Sequence, residues 1–80
     1  MKLVVVKEIV SKYSLSDLTS AEEDLMEERP LEIEVEGDDE GEQLTHIIAA
    51  KWIIEEMDKE KIPLAKAVRN YTQRVRNSIS

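Results

Sequence analysis

The chain has no cysteine and no phenylalanine, and only two glycines, two prolines, one histidine and one tryptophan among its 80 residues. Without cysteine, neither a disulfide nor a thiolate metal site can staple the fold. With Trp52, Tyr13 and Tyr71 as the only aromatics, the core has to be aliphatic, built from Leu, Ile, Val, Ala and Met. No apolar run approaches the roughly 20 residues that span a bilayer. The N-terminal MKLVVVKEIV lacks the cationic region, long apolar segment and small-residue cleavage site of a secretory signal. A soluble cytoplasmic protein with no membrane partner is therefore expected. The length allows one domain over residues 1–80, with a total stability of about 4–12 kcal/mol at the usual per-residue rate. Sharing apolar surface between two copies would relieve the shortage of core.

What the chain has in quantity is charge, and the charge is segregated. The formal net charge is −7. Every acidic residue precedes Lys61, and between Asp17 and Glu42 the only basic residue is Arg29. From Lys61 onward the charges are Lys61, Lys66, Arg69, Arg74 and Arg76, with no acid. An acidic middle is thus followed by a basic tail.

The apolar pattern predicts a small, mainly α domain of about four helices. Leu3, Val6, Ile9, Val10 and Tyr13 share one side of a 3.6-residue period, which predicts a helix over Leu3–Tyr13 in spite of the valine run. Ser20-Ala-Glu-Glu23 has the form of a capping box and predicts a short helix from Ala21 to about Glu28. After Pro30, Leu31, Ile33 and Val35 alternate with Glu32, Glu34 and Glu36, so a short strand near residues 31–35 is allowed. Its partner would be the N-terminal valines or a second copy, and its glutamate row equally suits an extended segment that pairs with nothing.

The strongest helical signal runs from about Asp39 to Lys59, where Lys51 is the only polar residue between Ile47 and Ile54. Its apolar residues lie nearly all round the helix, the mark of burial on more than one face. One line is His46, Ala49, Ala50, Ile53 and Met57, and the other is Leu44, Ile47, Ile48 and Ile54. With one line packed inside the protomer, the second becomes the candidate interface of a homodimer. Pro63 suits the first turn of a last helix reaching about Asn77. Leu64, Val68, Tyr71, Val75 and Ile79 form its apolar stripe, opposite Lys66, Arg69, Asn70, Gln73, Arg76 and Asn77.

The stretch EGDDEGEQLTH, Glu36 to His46, gathers five carboxylates, both glycines and the only histidine. Taken as a calcium loop starting at Glu36, it places Asp38 and Glu40 third and fifth and Gly41 sixth. The twelfth position is then Ile47, which cannot coordinate, and the EF-hand is excluded. Glu42 and His46 stand four apart and could chelate a divalent ion weakly, but two ligands are too few for tight binding. The plainer expectation is that Asp38 caps the helix and Asp39, Glu40 and Glu42 meet its positive end, with His46 partly buried beside a carboxylate.

Catalysis finds little support. There is no Cys nucleophile, no second His, no Gly-rich phosphate loop and little room for a deep pocket. No enzyme activity and no cofactor are expected. The basic helix offers a nucleic-acid face through Lys66, Arg69, Arg74 and Arg76. The acidic majority of the chain opposes it, so nucleic acid stands as the alternative partner.

GEQLTHIIAAKWIIEEM and AKAVRNYTQRVRNSIS resemble a family of short uncharacterised bacterial proteins. The shared features are Gly41-Glu42 before an apolar helix, Met57 near its end, and a last amphipathic helix closing in Arg74-Val75 and Ser78-Ile79. The resemblance spans about residues 41–80 and implies a small, mostly helical protein. It transfers no activity and no site. The leading expectation is a self-associating interaction module.

Overall fold

The structure is a computed structural model, and it describes residues 1–79. Ile79, the last member of the predicted stripe, has its side chain outside the described residues. Four helices follow in order: α1 Leu3–Lys12, α2 Leu15–Met26, α3 Glu40–Glu60 and α4 Leu64–Ile79. α1, α2 and α4 all pack on α3, and no other pair of helices shares a comparable contact. α1 runs parallel to α3: Lys2 meets His46 at one end, and Val10 shares a cleft with Ile54 and Met57 at the other. α2 and α4 run against it, as Ser14 beside Met57 and Tyr71 beside Trp52 show. No helix among the described residues is long and apolar enough to cross a membrane.

The central position of α3 follows from its composition. Ile47, Ala49, Ala50 and Ile53 are fully covered, and the two alanines let neighbouring helices approach closely. Asp39 caps the helix by accepting the Glu42 N–H at 2.7 Å. The expected cap, Asp38, instead donates its own N–H to the Glu42 carboxylate at 3.0 Å. A cap must already have its carbonyl on the helix axis, and Asp39 does, bonding the Gln43 N–H at 3.0 Å.

α1 forms in spite of its valines because tertiary burial outweighs propensity. Val5, Val6 and Ile9 are buried, a helical spacing, whereas Leu3, expected inside, lies at the surface. The second helix begins six residues earlier than Ala21 and ends at Met26. Its capping box is Ser14 with Asp17: the Ser14 hydroxyl accepts the Asp17 N–H at 3.2 Å, and the Asp17 carboxylate accepts the Ser14 N–H at 3.0 Å. Ser20 lies inside the helix. The earlier box wins because it brings Leu18 as well as Ala21 and Leu25 to the core.

α2 and α3 end alike. Glu28 (φ 57°) and Lys61 (φ 54°) take the left-handed conformation. The next amide then reaches back five residues, Arg29 N–H to Asp24 O at 2.7 Å and Ile62 N–H to Met57 O at 3.3 Å. Pro30 and Pro63 follow directly and prevent either helix from resuming. Pro63 therefore stands just before α4, its carbonyl accepting the Ala67 N–H at 3.1 Å.

No strand forms among the described residues, and Leu31–Val35 is extended but unpaired. Its alternation is still used: Val35 is buried and Leu31 and Ile33 are half-buried, while Glu32, Glu34 and Glu36 face water. Side chains take the place of a neighbouring strand. The Tyr13 hydroxyl donates to the Glu34 carbonyl (3.4 Å) and accepts the Glu34 N–H (3.3 Å), and Gln43 Nε2 donates to the Val35 carbonyl at 2.9 Å.

Candidate functional site

His46 is fully buried. Its Nδ1 lies 2.7 Å from the Glu36 carbonyl and its Nε2 lies 3.0 Å from the Lys2 amide nitrogen. A backbone amide only donates and a carbonyl only accepts, so the ring carries its proton on Nδ1 and keeps its lone pair on Nε2. The ring thus ties the N-cap of α1 and the loop before α3 to the first turns of α3. The expected carboxylate neighbour is replaced by two backbone groups.

Outside the ring is a cleft of about 430 Å³ lined by Lys2, Glu34, Glu36, Asp38 and Glu42, among others. Glu42 is engaged by the Asp38 N–H, and both nitrogens of His46 are used inward. The Glu42/His46 pair is therefore no chelate in this fold. Among the described residues, no three carboxylate or imidazole side chains are arranged to hold a metal. Gly37 lets the loop close here: a Cβ would lie 2.7 Å from Gln43 Cγ and 2.8 Å from the Gln43 backbone nitrogen.

The four candidate interface residues do not share one face. Ile47 is fully covered within the protomer. Ile54 is half-buried in a cleft with Val10, Tyr13 and Met57. Leu44 is half-buried, and Ile48 alone is strongly exposed, at 47%. Leu44, Ile48 and Glu55 lie along the outward arc of α3, between α2 on one side and α4 on the other.

This arc is the floor of a shallow groove. Glu22, Ile48, Lys51, Trp52 and Glu55 line it. The α2 wall is fixed by the Lys51–Glu22 salt bridge, 2.8 Å long and partly buried. On the α4 side Trp52 packs against Tyr71, ring centroids 5.5 Å apart, and beneath the Arg74 guanidinium at 5.8 Å. Both contacts hold the indole in one orientation, and the cation–π contact contributes about 0.5–1 kcal/mol. Trp52 and Glu22 were missed in the sequence because a half-buried tryptophan and a glutamate look like core and surface. The i, i+4 spacing of Ile48 and Trp52 is the signal that could have found this face.

The four candidate nucleic-acid residues separate as well. Lys66, Arg69 and Arg76 are exposed, and no ion pair among the described residues engages them. Arg74 is exposed but turned onto Trp52.

A family model, described as a family of unknown function (DUF6952), matches residues 1–80. The chain belongs to that family. The match takes in the acidic middle and the N-terminal helix, which the resemblance over residues 41–80 did not reach. No curated protein and no solved structure matches the chain.

Proposed function

We propose that this member of the family is a self-associating interaction module, a homodimer working in the cytoplasm without catalytic chemistry of its own. The observation that carries this reading is Ile48, 47% exposed on the helix whose other faces hold the core. Trp52 beside it is immobilised by Tyr71 and Arg74, so the apolar floor of the groove is preorganised, which lowers the entropy lost on docking. The non-catalytic part is supported by His46, whose nitrogens are both committed to backbone groups. Sedimentation velocity of the full chain across micromolar concentrations is the test. A dimer that Ile48→Glu converts to a folded monomer supports the reading, and a wild-type monomer throughout the range ends it.

A second reading takes α4 as a nucleic-acid face, favoured by Lys66, Arg69 and Arg76, which are exposed and enter no ion pair among the described residues. Retention on heparin that falls with salt and is lost in Arg69→Ala/Arg76→Ala supports it. Absence of retention at low salt dismisses it.

A further inference from the structure

His46 is the only histidine of the chain, and its two bonds make opposite demands on the ring. Nδ1–H donates to the Glu36 carbonyl at 2.7 Å, while the lone pair of Nε2 accepts the Lys2 N–H at 3.0 Å. Lys2 is the N-cap of α1 and makes no side-chain cap bond. Its carbonyl accepts the Val5 and Val6 N–H groups at 3.1 and 3.2 Å. The imidazole therefore fixes the residue from which the first turn of α1 starts. A second proton on the ring goes to Nε2. It turns the acceptor into a donor and sets two N–H groups against one another in a buried place.

The surroundings offer the charged ring another place. The cleft outside it is lined by Glu34, Glu36 and Asp38 of the loop, Glu42 of α3 and Lys2 of α1, and among the described residues α2 and α4 add no charged group to that lining. Glu42 stands one turn before His46 on the same helix, its carboxylate accepting the Asp38 N–H at 3.0 Å. Val5 and Val35 are the apolar part of the lining, and both are buried. We propose that His46 is a proton-operated latch: in mild acid a second proton on its ring releases Lys2 and the first turn of α1 from α3, turns the imidazolium toward the carboxylates of the cleft and uncovers Val5 and Val35. The proton comes from solvent through the cleft, and no covalent bond of the backbone changes. The rest of the fold stays closed, because α2 holds α3 through Lys51–Glu22 and α4 through Trp52–Tyr71, contacts in which His46 takes no part.

With one histidine and one tryptophan in the chain, each reports without overlap. In the full chain, NMR follows the His46 ring carbons and the amide-exchange protection factors from about pH 8 to 5, the range in which histidine ordinarily changes charge. The protection of Lys2, Val5 and Val6 falls roughly 10-fold or more in step with the ring signal. Ile53 and Val68 in the core keep theirs, and Trp52 emission is unchanged. His46→Gln removes the titrating ring and keeps an oxygen able to accept the Lys2 N–H, and the step disappears. Glu42→Gln keeps an acceptor for the Asp38 N–H and removes a charge that favours the imidazolium, so the step moves to lower pH. A ring that stays neutral down to pH 5, or one that titrates while the α1 amides keep their protection, overturns the latch. So does a step that survives in His46→Gln, or one in which Ile53 and Val68 lose protection together with α1. A step that Glu42→Gln leaves unmoved overturns the part given to the cleft.

Discussion

His46 and Ile48 stand two residues apart on α3 and invert the usual rule. The polar side chain is fully buried and the apolar one is nearly half exposed. The difference lies in what surrounds each. The His46 side of α3 is closed by α1 and by the acidic loop, and both ring nitrogens find a backbone partner. The Ile48 side faces the gap between α2 and α4, which no segment of the described chain fills. A buried polar group with complete hydrogen bonds is a structural joint, whereas an exposed apolar group on a rigid floor is a surface for something else.

Substitutions can break or sharpen this comparison. The largest effect is expected from His46→Ala, which leaves the Lys2 N–H and the Glu36 carbonyl unpaired beside a cavity. Urea denaturation should show a loss of about 2–4 kcal/mol. Gly37→Ala acts on the same joint by forcing a Cβ into Gln43, and a loss of about 1–3 kcal/mol is expected in the same measurement. Lys61→Gly removes the left-handed strain at the end of α3, away from both faces. Thermal melting should show a gain of about 0.5–1 kcal/mol. The smallest effect on stability is expected at Ile48→Ser, within about 0.5 kcal/mol for the monomer in dilute solution. The same substitution should weaken self-association in sedimentation. A large loss of monomer stability there would mean that Ile48 belongs to the core and that the comparison fails.

Much of the helical layout was legible. The all-round apolar pattern of Leu44–Met57 marked α3 as the central element, and the stripe Leu64, Val68, Tyr71, Val75 marked α4. The start of α2 was misplaced because Ser14 and Ser20 both begin sequences of capping form, and only packing at Leu18 separates them. The ends of α2 and α3 were written in Glu28-Arg29-Pro30 and Lys61-Ile62-Pro63, but the left-handed residue in each is not glycine and gives no signal. The Leu31–Val35 alternation was real and its partner was not. Period two reports which side chains face inward and says nothing of whether a backbone or side-chain groups meet the amides. For the candidate site, wheel arithmetic grouped Leu44, Ile47, Ile48 and Ile54, which lie on two arcs that α2, α1 and solvent divide differently.

By itself the sequence determined the fold class, the aliphatic core, the central role of α3 and the split between an acid-only α2 and a base-only α4. These follow from composition and helical period, which are local. Tertiary structure alone decided that His46 bonds two backbone groups, that Ile47 is core while Ile48 faces water, and that Trp52 is held by Tyr71 and Arg74 in a groove between α2 and α4. Each of those depends on which helices flank α3 and at what angle, and that placement is set by side-chain packing between residues distant in the chain.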